Sequence, residues 1–364
     1  MTKEPIFRID HVSMTFGRHS KQALDMRAAG KSKSEIEQLT NTTVAIHDAS
    51  FEVKQGETFV LIGLSGSGKS TLLRCLNGLI HPTQGSVFLN RENIATMSNK
   101  QLQEVRRNKI GMVFQNVGLL PNRSVLDNVT FGLEIQGVGL KERTKKGEAA
   151  LEMVNLQGQG HKKIDQLSGG MQQRVGLARA LATGQEVLLM DEPFSALDPL
   201  IRREMQKLFL EIQNEVHKTV IFVTHDLDEA FRLGHRAAVM KDGKIIQIGT
   251  AEDFISEPAT DYIRQLVQDI DYSKVRKAEC AMIEVKNNTY KQESPVHRVS
   301  RDCPLRDVLP LIAENNGPIA VVNGEDQLEG IITVESIISS LTGSAKQAYS
   351  EEDYLNPKYR KEMV

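Results

Sequence analysis

Gly63-Leu64-Ser65-Gly66-Ser67-Gly68-Lys69-Ser70-Thr71 follows the apolar run Thr58–Ile62 and precedes Leu72, Leu73, Leu76 and Leu79, which are spaced to share one helix face. A strand, a glycine-rich loop and a helix in that order make a phosphate-binding loop. Glycine lacks a Cβ, so backbone N–H groups can close on phosphate oxygens. The start of a helix adds partial positive charge at the same point. Lys69 is expected to reach the β- and γ-phosphates of ATP, and the Ser70 hydroxyl to ligate Mg²⁺.

Two further apolar runs, Val187–Met190 and Val220–Thr224, read as buried parallel strands. Helical spacing through Val175, Ala178, Leu181 and Ala182 lies between the loop and these runs. Strands alternating with helices predict an α/β domain with a mostly parallel sheet. The run at 187 ends in Asp191 and Glu192, at the sheet edge where α/β proteins bind ligands. Acids commonly end strands. Paired with the phosphate loop, however, Asp191 is expected to hold Mg²⁺, directly or through water, and Glu192 to take a proton from an attacking water. Leu167-Ser168-Gly169-Gly170-Met171 opens a helix with a hydroxyl and exposed backbone. That is a second anion site, although an ordinary helix cap would use the same residues.

The string at 167–173 resembles the signature motif of ABC ATPases, and its spacing between Gly63 and Asp191 fits that family over about residues 6–255. The resemblance implies a P-loop ABC ATPase domain with a mostly parallel sheet core, an antiparallel β subdomain and a helical subdomain. It implies a homodimer of cassettes, head to tail, in which Gly63, Ser65, Gly66, Ser67, Gly68, Lys69, Ser70 and Thr71 of one copy and Ser168, Gly169 and Gly170 of the other clamp one ATP. By the same resemblance Gln115 is the Q-loop glutamine, touching Mg²⁺ or the lytic water. His225 is the switch histidine at the γ-phosphate, and Asp198 of the D-loop communicates between the two sites. Phe16 would stack on adenine; a core phenylalanine is its plain alternative.

Gly118-Leu119-Leu120-Pro121 and Ser124–Val129 resemble the importer branch, in which this region forms a groove for a permease helix. Exposure of Leu119 and Leu120 would mark that groove. Residues 17–43 read as a mostly helical insertion. With Glu104–Gln115 and an appended C-terminal module, they make the chain similar to the ATPase subunits of glycine betaine/proline and other quaternary-amine importers. The implied partners are integral membrane permease subunits and, indirectly, an extracytoplasmic solute-binding protein. The implied location is the cytoplasmic face of the membrane. Choline, carnitine, trimethylamine N-oxide, or an amino acid such as histidine or proline, are open as solutes; an exporter cassette is the alternative within transport.

The order strand, helix, strand, strand, helix over 296–343 resembles one CBS motif, with Leu328–Thr333 as its most typical string. Adenosine-binding members carry an acid three residues after that threonine, where this chain has Ser336. The expected organisation is an ATPase domain over 1–260, then a linker over 261–295 in which Met282–Val285 reads as a remnant strand. The CBS-like α+β module and a mobile tail over 344–364 complete it. Formal net charge is -2 over 364 residues, giving no sign of nucleic-acid binding. No apolar run is long enough to cross a bilayer, so membrane association is expected through a partner. Three cysteines far apart predict free thiols.

Overall fold

The computed structural model describes residues 5–285, 297–315 and 317–342. The chain divides into two compact units, Met1–Val267 and Gln268–Val364. The expected tail at 344–364 lies outside the described residues.

In the first unit, all five residues of the Thr58–Ile62 strand are buried. A strand covered on both faces belongs at the centre of a parallel sheet. Its neighbours are the parallel strands Thr219–Thr224 and Arg236–Lys241. Among the described residues the sheet has six strands, in the order Lys244–Gly249, Arg236–Lys241, Thr58–Ile62, Thr219–Thr224, Val187–Asp191, Ile110–Val113. Only the Lys244–Gly249 edge runs antiparallel. It is joined to its neighbour by Asp242 and Gly243, both at positive φ (51° and 80°). That pair is the favoured two-residue hairpin turn, because its backbone twist matches the strands it joins.

A second, antiparallel sheet orders Thr43–Lys54, Pro5–Phe16, Gln84–Leu89 and Glu92–Asn93. Phe51 from this sheet stacks on Phe59 of the parallel sheet, ring centroids 4.9 Å apart. The helix Lys69–Leu76 buries Leu72, Leu73 and Leu76 in the same core. Leu79, expected on that face, lies past the helix end and is exposed. Asn77 and Gly78 end the helical spacing there, Gly78 at φ +63°. The helices Val125–Ile135, Leu140–Met153 and Gly169–Ala182 pack on one another as a helical subdomain.

Phe222 lies behind the carboxyl edge of the parallel sheet, fully buried and touching Phe194 (centroids 5.7 Å) and Phe209 (6.1 Å). Phe222→Ala leaves a cavity that neighbouring rings cannot fill. It should lower unfolding stability by about 3–5 kcal/mol. Denaturant midpoints at unchanged slope would check this; a loss under about 1 kcal/mol would mean that the core there is loose.

In the second unit, Ile283–Glu284, Leu328–Ile332, Ile319–Val322 and Arg298–Ser300 form a sheet in that order, the last pair parallel. The stretch expected as a linker is partly core, because Ala278, Ala281 and Met282 are buried with Val299, Leu305, Ile319 and Ile332. The Asp261–Val267 helix falls in the first unit. Ser336 is committed locally: Thr333 N donates to its Oγ (3.0 Å), and its own N donates to Thr333 Oγ1 (3.2 Å).

Candidate active site

The phosphate loop turns at Gly66 (φ +77°) and Gly68 (φ +107°), backbone shapes that side chains resist. At Gly68 a Cβ would also lie 2.5 Å from Ala45 O. Lys69 follows as the first helical residue and is buried. Its Nζ donates to Gly63 O (2.6 Å) and Leu64 O (3.0 Å) and lies 4.0 Å from Glu192 Oε1. Burial holds its pKa below the usual lysine range, with the charges of Glu192 and Asp191 opposing that shift. The ammonium thus sits inside the loop with acids near it. Ser67 Oγ is buried there without a hydrogen-bond partner. A buried hydroxyl and an ammonium held by carbonyls suit an incoming polyanion.

Ser70 Oγ donates to Asp191 Oδ1 at 2.8 Å, although the two residues are 121 apart in sequence. The strand order of the sheet brings them together. A hydroxyl and a carboxylate oxygen side by side are hard donors of the kind Mg²⁺ takes, so the residues fit that ion.

Glu192 has φ +44°, a left-handed conformation costing about 1–3 kcal/mol for a residue with a side chain. Its N–H donates to Val223 O on the adjacent strand (3.1 Å), which holds it there. The bend aims Oε2 at His225 Nδ1, 3.1 Å away, at the end of that adjacent strand. Gln115 is exposed and donates from Nε2 to Ser195 Oγ (3.3 Å); Ser195 Oγ donates in turn to Glu192 O (2.9 Å). A relay therefore runs from Gln115 to the backbone of Glu192. The bridging role of Ser195 was not readable from sequence, where it stands three residues before Asp198 with no local pattern to mark it. Gln173 was missed as well. It is buried and donates from Nε2 to Pro193 O, so the helix that begins at Ser168 grips the segment after Glu192. Its only sequence signal is a polar residue on an otherwise apolar helix face.

Ser168, Gly169 and Gly170 stand apart from this cluster; among the described residues no hydrogen bond joins them to residues 63–71. Ser168 caps its own helix, accepting from Met171 N at 3.4 Å. Gly169 opens to free space, whereas a Cβ at Gly170 would meet Ile201 at 2.6 Å. Asp198 is exposed and caps the Pro199–Val216 helix, accepting from Leu200 N and Ile201 N (both 3.1 Å). Phe16 ends the first strand with 46% of its surface exposed, so the core alternative is excluded. Ser65 and Thr71 lie in the loop and first helical turn. Leu119 and Leu120 are only half-buried rather than exposed, since Leu120 N and O are bonded by the Asn128 side chain (2.7 and 3.1 Å). Phe114 is the exposed apolar residue of that region, at 43%. Cys75 is buried and its thiol is pushed up to about 12, which removes it as a nucleophile.

A phosphate loop, a hydroxyl–carboxylate pair and an acid–histidine pair at the carboxyl edge of a parallel sheet define a P-loop nucleotide hydrolase. Comparison with known proteins narrows this. The ABC transporter family profile matches residues 46–195 and the CBS domain profile residues 292–343. The glycine betaine transport ATP-binding protein OpuAA of Bacillus subtilis is 42% identical over 96% of both chains. The glycine betaine/carnitine transport ATP-binding protein GbuA of Listeria monocytogenes is 40% identical over 93% of this chain and 98% of its own. Among solved structures, the dimeric cassette MJ0796 in a post-hydrolysis state with ADP and Pi is 32% identical, with a TM-score of 0.56, over 67% of this chain and 98% of its own.

The chain belongs to the ATP-binding subunits of ABC transporters. It is an ATPase with a C-terminal CBS domain. Among the described residues, no helix is long and apolar enough to cross a membrane.

Proposed function

We propose that this chain powers uptake of a quaternary amine of the glycine betaine type. It does so as a homodimer at the cytoplasmic face of the membrane, bound to permease subunits that receive solute from an extracytoplasmic binding protein. Similarity to OpuAA over 96% of both chains supports the solute class, because so long an alignment takes in the C-terminal region of this chain as well as its cassette. The trimethylamine N-oxide transport ATP-binding protein TmoW of Pelagibacter ubique, 38% identical over 94% of this chain, extends the same N-methylated chemistry.

In each site the N–H groups of Gly66, Ser67, Gly68 and Lys69 surround the phosphates, and the Lys69 ammonium leaves the loop carbonyls for the β- and γ-phosphate oxygens. Ser70 and Asp191, with Gln115, would hold Mg²⁺, which would supply positive charge beside the triphosphate. Glu192 takes the proton of the attacking water. With Nδ1 facing Glu192, His225 keeps Nε2 for the γ-phosphate, to which it donates when both ring nitrogens carry a proton. Phe16 offers its exposed ring to adenine. Ser168, Gly169 and Gly170 of the partner copy close the opposite side of the triphosphate, so hydrolysis waits on closure.

The test is ATP turnover in vesicles holding the complete transporter. Glycine betaine should raise turnover several-fold, with carnitine, choline or trimethylamine N-oxide weaker or silent. Stimulation by histidine alone, or turnover with no need of an external solute, would replace the assignment.

A further inference from the structure

The insertion at 17–43 carries two helices, Ser20–Ala28 and Lys33–Thr40, packed through Ala23, Leu24 and Ile36 against Val44. Four residues make so small a core that it binds the insertion to the sheet only weakly. Polar contacts extend further. The half-buried Arg27 donates from Nη1 to Lys31 O (3.0 Å) and from Nη2 to Asp242 O (3.1 Å). One guanidinium thus ties the end of the first helix to the Asp242–Gly243 hairpin turn, 215 residues away in sequence.

The other side of that turn faces the ATP site. Gly243 N donates to Ser67 O in the phosphate loop at 3.0 Å, and His47 N donates to Gly243 O at 2.8 Å. Space around the turn is tight. A Cβ at Gly243 would lie 2.7 Å from Ala45 O and 3.3 Å from Lys33 Cε; a Cβ at Gly68 would lie 2.5 Å from the same Ala45 carbonyl. Lys33 is half-buried beside the turn, and Asp242 is the acid that offsets its burial. Insertion, turn, Ala45 and phosphate loop are therefore in continuous van der Waals and hydrogen-bond contact. Ser67 gives the loop no side-chain anchor of its own, since its Oγ is buried without a partner.

We propose that the insertion is a brace for the ATP site: Arg27 is a positioning residue that holds the Asp242–Gly243 turn, so that Gly243 N–H fixes the Ser67 peptide and the direction of the loop N–H groups. The inference rests on residues 63–71 being the phosphate site of ATP. Donors already aimed at a ligand bind it without the cost of being ordered. Removal of the brace therefore weakens ATP binding and leaves the groups that act on bound ATP in place. Coupling is reciprocal, so ATP must steady the insertion as much as the insertion steadies the loop.

The test measures ATP turnover by the full chain. Arg27→Ala should raise KM for ATP about 3- to 10-fold, the size of coupling carried through packed contacts, with kcat at saturation within about twofold. Arg27→Lys should recover part of the loss, as an ammonium reaches one carbonyl at a time. A purely structural role for Arg27 would lower the fraction of active protein, and hence apparent kcat, without moving KM. Amide exchange on the unaltered chain gives a second reading that needs no variant to fold: a non-hydrolysable ATP analogue should slow exchange over residues 33–40. An unmoved KM in folded Arg27→Ala overturns the brace, as does exchange over 33–40 that the analogue leaves unchanged. Lys69→Ala, assayed beside them, separates the two readings: if it retains turnover, the phosphate-site assignment itself fails.

Discussion

Glu192→Gln should bind ATP about as tightly as the unaltered chain and hydrolyse it at least about 100-fold more slowly. The substitution keeps the size and most of the hydrogen bonding of the side chain but removes its capacity to take a proton. Glu192 is held by its neighbours rather than by chance, through the Val223 carbonyl at its N–H and His225 at its Oε2 (both 3.1 Å). The amide should therefore occupy the same place. It also removes a negative charge 4.0 Å from the Lys69 ammonium, which leaves that cation freer to attract triphosphate. With the nucleotide gripped and unbroken, the pair of chains should stay closed. Sizing in ATP would show a lasting dimer, and phosphate release would be near background. Turnover like that of the unaltered chain would take the proton-acceptor role away from Glu192.

Ser168→Arg should leave each chain folded and able to hold ATP in its own loop, yet reduce turnover about 100-fold, as loss of a donor to the reacting phosphate does. In the single chain Ser168 is exposed and its hydroxyl makes only a 3.4 Å cap contact, so folding loses little. Gly169 beside it faces open space. An edge with so few internal duties is free to meet a partner, and an arginine there blocks the approach. Mixing Ser168→Arg with Lys69→Ala discriminates further. A mixed dimer contains one site built from two intact halves and one built from two damaged halves. Turnover should return in part and never to the level of two sites. Full-rate hydrolysis by a strictly monomeric chain would rule out the shared site.

The strand, glycine-rich loop and helix over residues 58–76 were legible because their signals are contiguous. Four apolar residues after Thr58, three closely spaced glycines and a helix start are local signals, and local sterics give them one structure. The same holds for Asp191 and Glu192 at a strand tip, and for the strand and helix order after residue 297. Leu79 was misjudged, and the degree of burial of Leu119 and Leu120 was not legible, for the opposite reason. Helical spacing continues on paper through Asn77-Gly78, where the backbone turns away. The exposure of Leu119 and Leu120 depends on Asn128, which folds back to bond Leu120 from eight residues further on.

By itself, then, the sequence determined the α/β cassette, its glycine-rich loop, the acids at the sheet edge and the CBS domain, all written in neighbouring residues. Only tertiary structure decided which distant groups meet. Ser70 and Asp191 are 121 residues apart, Gln115 and Ser195 are 80 apart, and Arg27 reaches Asp242 across 215. The first two pairs are set by the order in which parallel strands lie side by side, and the third by how the insertion lies against the edge hairpin; a periodic pattern along one chain carries no record of either.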